Sequence, residues 1–228
     1  LKEDRLEIDR LAIGELEGAN ISATGTLHDL SATPSGKIDS SIIATDLAPL
    51  AEALAKRFPD NAFATGFWQR AQAYPGLYED ASIRVVASLS GEGAPKGELS
   101  LEAAGEAGGT TLALTAKLHD APAVSRHTPL SLLLTADSAE APALYALLGL
   151  PALPLDFAGP AQAKLIFDGV LATSGKTNFS MTGEGLAFSF EGQASHNEET
   201  GLSLNGAGKL EADDLDPWLA IAGVGLPG

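Results

Sequence analysis

The sequence predicts a mainly β protein: an antiparallel meander or curved open sheet, groove-like or sandwich-like, built from repeated modules with short capping helices. Three observations carry that prediction. Apolar side chains recur at every second position, Gly-, Asn- and Asp-rich turns punctuate them, and one strand block recurs further along the chain.

The alternation is read first. Ile38, Ser40, Ile42 and Ala44 form one run, and Ile83, Val85, Ala87 and Leu89 a second. Leu112, Leu114, Ala116 and Leu118 continue it, followed by Leu130, Leu132 and Leu134. Ala163, Leu165 and Phe167 come next, then Phe179 and Met181, then Leu186, Phe188 and Phe190, then Leu202 and Leu204. Period two over four to eight residues is the mark of a half-buried strand, because successive side chains leave a strand on opposite faces. Turns such as Gly91-Glu92-Gly93, Gly108-Gly109 and Gly183-Glu184-Gly185 suit hairpins better than crossover helices.

The repeat aligns Gly18–Asp46 without gaps on Gly109–Asp137, an offset of 91 residues. Gly18/Gly109, Thr24/Thr115, Leu27/Leu118, His28/His119, Asp29/Asp120, Ala32/Ala123, Ser40/Ser131 and Asp46/Asp137 are identical. A fainter third copy, 77 residues on, places His196 on His119 and Asp214 on Asp137. The two blocks are expected to superpose as strand pairs, with His28 and His119 at matching strand ends.

Each block ends in a helical stripe. Leu47, Leu50, Leu54 and Phe58 have helical spacing, and Glu52 and Lys56 make an i,i+4 pair, which predicts a helix over 47–58. Leu144, Leu147 and Leu148, stopped by Gly149, predict one over 140–148. Asp216-Pro217-Trp218 opens a third, over 217–222. The whole of 1–228 reads as one repeat-built region with modules 1–58, 59–149 and 150–228.

Composition narrows the function. There are 14 basic and 30 acidic side chains, a net charge of -16, so phosphate backbones are repelled and no nucleic-acid partner is expected. Cysteine is absent, which removes disulfides, thiolate metal sites and cysteine nucleophiles and fits an exported protein. No basic n-region or apolar h-region opens the chain at Leu1, so it reads as a piece of something longer. The longest uncharged stretches, 141–155 and 217–228, fall short of the ~20 residues of a membrane helix, so no span is expected within it.

Motifs for catalysis and cofactors fail on spacing. Between Gly169 and Gly175-Lys176-Thr177 stand five residues where a phosphate loop needs four, and a strand pattern follows; a hairpin turn is the reading. His28, His119 and His196 occupy one repeat position, so they lie a module apart rather than converging on a metal. Asp213, Asp214 and Asp216 lack the glycine and closing glutamate of a calcium loop and suit helix capping. No Gly-x-Ser-x-Gly or His-Glu-x-x-His occurs, so no enzyme, cofactor or metal is expected.

The segment 58–80 departs from the repeat. Phe58, Phe63, Phe67, Trp68, Tyr74 and Tyr78 crowd into it. A local core beneath an insertion is favoured over a contact surface for a headgroup, sugar or partner.

Together these elements resemble the AsmA family of bacterial envelope proteins, which includes TamB. The resemblance rests on Gly18–Leu27 followed by Ile42–Leu47, on Leu144–Leu155 running into Gly159, and on Leu210–Trp218. It implies a periplasmic β-groove, in a parent anchored in the inner membrane, that shields phospholipid acyl chains for transport between the membranes and outer-membrane biogenesis. The implied partners are those acyl chains and other envelope proteins.

The chains would lie on one sheet face lined by Leu112, Leu114, Leu132, Leu165, Phe167, Phe188 and Phe190, which share a parity within each strand. The alternative is a closed sandwich or solenoid serving as scaffold or protein-interaction module in outer-membrane protein assembly. The two readings differ in whether that face is open.

Overall fold

The computed structural model describes residues 4–30, 34–90, 97–119, 125, 127–149, 159–183, 185–197 and 201–214, with the side chains of 62, 63 and 197 outside that description. Eleven strands follow one another in sequence and in space as a single antiparallel meander. They are β1 (Leu6–Leu16), β2 (Ala19–His28), β3 (Ser35–Asp46), β4 (Glu79–Ser90), β5 (Glu98–Ala107) and β6 (Thr110–His119), then β7 (Pro129–Ser138), β8 (Ala161–Val170), β9 (Ser174–Gly183), β10 (Leu186–Asn197) and β11 (Gly201–Ala212). Helices α1 (Ala48–Arg57) and α2 (Ala62–Ala73) connect β3 to β4, and α3 (Ala141–Leu147) connects β7 to β8. The sheet runs unbroken across both module boundaries, through the β3–β4 and β7–β8 ladders. Because β1 and β11 are free edges of one sheet, the sandwich and the closed solenoid are ruled out as architectures for the described residues.

Register decides the two faces. Ile21 pairs with Ile42, Ile42 with Ile83, Ile83 with Gly105 and Gly105 with Leu112. The same row continues through Ala136, Ala163, Met181, Phe188 and Leu210. Four further rows run parallel to it on that face, and the intervening positions, such as Ser41, Arg84, Thr135, Lys164 and Ser180, form the mostly polar back. A one-residue slip in any ladder would exchange the faces, so the pattern itself pins the register.

The helices gather at one end of the apolar face. The terminal row there is made of small residues, Ala19, Ala44, Ala81, Ala107, Thr110, Ser138 and Ala161, all buried. Small side chains let a helix approach the sheet closely, and the gaps are filled from above. Leu47, Ala71, Leu77, Tyr78, Ala143 and Ala146 close one cluster over Ala19, Ala44 and Ala81. Leu144, Tyr145 and Ala141 close the second over Ala161, Ala163, Met181 and Leu186.

The predicted helices at 47–58 and 140–148 are α1 and α3, and the predicted Glu52–Lys56 pair forms at 2.7 Å. The one over 217–222 lies outside the described residues. Phe58, placed in the stripe of α1, is 51% exposed instead: the helix ends at Arg57 and the chain turns away. The segment 58–80 holds a full helix, α2, whose start is tied by Asn61 Oδ1 accepting the N–H of Ala64 at 3.0 Å. Its Phe67 and Trp68, with Tyr74 and Tyr78, pack into the first cluster, the local core expected there.

The repeat is real in its first strand and shifted in its second. β2 and β6 end on His28 and His119, both on the polar face. Ala19 pairs with Ala44 but Thr110 with Ser138, so the offset of 91 on the first strand becomes 94 on the second. The gapless alignment therefore matched Ile42 to Leu133, which points to the opposite face. In the third copy the fault reaches the first strand: Phe188, not Ser189, shares the row of Leu112, so His196 lies on the face opposite to His119. The Gly169–Gly175 segment is a hairpin, with those two glycines paired across β8 and β9.

Candidate functional site: the apolar face

All seven residues predicted to line one face do so. Leu112 and Phe188 lie in the second row from the helical end, and Leu114, Leu165 and Phe190 in the third. Leu132 and Phe167 pair directly in the fourth. Their surroundings separate them into three groups. Leu112 and Phe188 pack against the cluster under α3, and Phe188 meets Phe179 with ring centroids 5.9 Å apart. Phe167 is only 5% exposed, and its ring lies over Gly175 on the neighbouring strand. Leu114, Leu132, Leu165 and Phe190 are half-buried and stand clear of both helical clusters.

Residues that the prediction left out extend the same surface. Leu134 pairs with both Leu114 and Leu165, Phe179 with Leu165 and Phe190, and Leu101 with Ala116. The fifth row carries Leu89, Leu99, Leu118 and Leu130. The parity argument that selected the seven would have found these too. Three rows beyond the helices make a strip roughly 15–20 Å wide and, over eleven strands, about 50 Å long.

The reverse face is mostly polar, with Ile43, Leu133 and Ile166 standing exposed among paired polar groups. Arg84 Nε donates to Asp39 Oδ1 at 2.9 Å, and this hydrogen bond, aided by the charge, holds the Asp39 carboxyl below its usual range. Ser131 donates to Asp168 Oδ2 at 2.6 Å, and Gln162 to Asp137 Oδ2 at 2.7 Å. Two shallow hollows of about 350 and 480 Å³ lie here, floored chiefly by Thr111, Thr135, Gln162, Lys164, Ser180 and Ser189. The larger is also bordered by Ile166, Phe179 and Phe190 and by Lys164, Glu191 and Lys209.

At the helical end, burial pushes the Tyr78 hydroxyl up to about 12, partly opposed by the charge of Arg70. Arg70 itself went unnoticed in the sequence. Its only signal there is a cation set among Phe67, Trp68 and Tyr74. Among the described residues no group of three or more His, Cys, Asp or Glu could hold a metal ion, and no helix is long and apolar enough to cross a membrane.

No family model matches the chain, and no curated protein or solved structure does either.

Proposed function

We propose that this chain is a non-enzymatic, lipid-carrying β-groove module, of the AsmA kind, that shields acyl chains in the periplasm during phospholipid transport and outer-membrane biogenesis. One observation carries the reading: helices cover only the first two of five apolar rows on a single open sheet, leaving Leu114, Leu132, Leu165 and Phe190 half-exposed. A contiguous apolar surface of that extent is far larger than a monomer ordinarily leaves to water, so it marks an interaction site. At ~25 cal/mol per Å², burying a chain of ~16 methylenes is worth on the order of 10 kcal/mol gross. Dispersed contacts without a closing pocket retain such a chain and still let it slide. The charge of -16 supports the same reading, since it opposes self-association of the strip and adhesion to anionic membrane surfaces.

A photoreactive side chain at position 114 tests it. Crosslinking to phospholipid from vesicles is expected, and Leu114→Asp in the same assay series is expected to abolish lipid capture with the β circular-dichroism signal kept. A folded wild type that takes up no lipid would remove the conduit reading.

A scaffold or assembly role is favoured by a different feature. β11 is an edge strand with an unbroken ladder to β10 and with Leu202 and Leu204 64% and 54% exposed. β1, by contrast, is blunted by two register shifts and by Glu7, Asp9, Arg10 and Glu15. A long, unbulged edge accepts added strands. Protein capture blocked by Leu204→Lys, with lipid uptake unchanged, would support this second role.

A further inference from the structure

We propose that Arg70 anchors a phosphate-type oxyanion at the helical end of the apolar face, so that the lipid class accepted there is one with an anionic head group. The proposal rests on the reading of the face as a lipid surface and adds the head-group end to it.

The geometry starts from an unmet donor. Among the described residues, Arg70 Nε is buried and has no hydrogen-bond partner. A guanidinium is always charged, and a buried donor of a charged group left unpaired is more costly than a neutral one. The chain has 30 acidic side chains against 14 basic ones, yet none of the described carboxylates forms an ion pair with Arg70. An Nε–H without a partner among the described residues of so acidic a protein is poised for an anion from outside it.

The surroundings suit such a ligand. Two glycines flank the guanidinium: a Cβ at Gly149 would stand 3.4 Å from Nη2, and one at Gly66 3.5 Å from Nη1. Glycine on both sides keeps side chains off the fork, whose planar array of N–H groups matches two phosphate oxygens at once. Tyr78, whose hydroxyl feels the Arg70 charge, keeps its proton at neutral pH and adds no competing negative charge. The same helix sends Phe67, Trp68 and Ala71 into the cluster that rests on Ala44, Ala81, Ile42 and Ile83 of the apolar face. The head-group position thus borders the apolar face at its helical end, with the uncovered Leu and Phe rows beyond it.

The test compares wild type, Arg70→Gln and Arg70→Lys, each first checked by thermal melting. Neutral phosphatidylcholine vesicles are doped with phosphatidic acid or with diacylglycerol of the same chains, and inorganic phosphate is titrated separately while the Arg70 Nε–H resonance is followed. Wild type is expected to take phosphatidic acid about tenfold better than diacylglycerol, the scale of one charge-assisted pair. Arg70→Gln should erase that preference without lowering diacylglycerol uptake, and Arg70→Lys should retain part of it. Equal uptake of the two lipids by wild type, or a preference that survives in Arg70→Gln, overturns the proposal and leaves the chain-binding reading standing. If no lipid is taken up, the chain-binding reading falls; a phosphate-dependent shift of the Nε–H signal then sustains an anion site for free phosphate, and its absence removes both. If Arg70→Gln does not fold, the Arg70→Lys preference and the wild-type Nε–H titration decide.

Discussion

The ring of Phe167 on β8 lies over Gly175 on β9, so closely that a Cβ at Gly175 would collide with its ring carbons. Phe190 treats Gly192 similarly, with its Cζ 2.9 Å from where that Cβ would be. Aromatic rings here cover strand backbone that lacks side chains of its own. An open face is therefore not uniformly available: some of its largest side chains are occupied in sealing the sheet.

Gly175→Ala tests that packing. The backbone of Gly175 is outside the left-handed region, so conformational strain does not enter, and the added methyl must displace the Phe167 ring. Destabilisation of about 1–3 kcal/mol in urea unfolding is expected, as for other overpacked sites. Phe167→Leu in the same chain should recover part of it.

Leu144 and Leu114 separate the closed end from the open strip. Leu144 is 0% exposed beneath the second cluster, and Leu144→Ala is expected to lose about 2–5 kcal/mol. Half-buried Leu114 has less apolar contact to lose, so Leu114→Asp should cost about 1–2 kcal/mol. The reverse ranking in chemical denaturation would mean that the strip is a closed core.

Tyr78 gives a pH dependence. Burial raises its folded value from 10.0 to about 12, so the folded state binds the proton more tightly than the unfolded chain does. The stability linked to that proton is whole below pH 10 and is lost as the pH rises from 10 towards 12. Tyr78→Phe should flatten the fall in melting temperature over that window, and tyrosinate absorbance should show all three hydroxyls titrating late, with the change towards pH 12 reduced in Tyr78→Phe.

Thr110 and Ser138 form a buried hydroxyl pair, Thr110 Oγ1 donating to Ser138 Oγ at 2.9 Å. Ser138 Oγ in turn donates to the Glu140 carbonyl at the entry to α3. Thr110→Val removes one of two donors to Ser138 Oγ, the other being the Glu140 N–H at 3.3 Å, and is expected to cost about 0.5–1.5 kcal/mol. Calorimetric melting of the variant measures it.

The legible parts of the fold were those governed by neighbours in the chain. The runs from Ile38 to Leu204 have period two and became strands; α2, capped by Asn61 three residues before the buried Ala64, was not read from the sequence, where the segment showed only its crowd of aromatics. β1 escaped the alternation because register shifts after Ile8 and Ile13 break its period. β5 escaped it because Ala103 and Gly105 carry the apolar parity with little apolar mass. The shift from 91 to 94 between repeats was hidden too, since hairpin register is set across strands rather than along them.

What the sequence determined by itself was the partition into two faces, and with it the placement of Leu114, Leu132, Leu165 and Phe190 together. That follows from the alternate projection of side chains along any strand, whatever surrounds it. Whether those residues meet a second sheet, a helix or an opening was decided by the tertiary structure alone. An alternating strand serves equally in a sandwich and in an open sheet, and only contacts between distant segments distinguish them. Here the small residues of the terminal row seat the helices at one end, and the Leu and Phe rows beyond them are left uncapped by any described helix. The Nε of Arg70, without a partner among the described residues, belongs to the same category, because that is a property of the assembled helices and not of any stretch of chain.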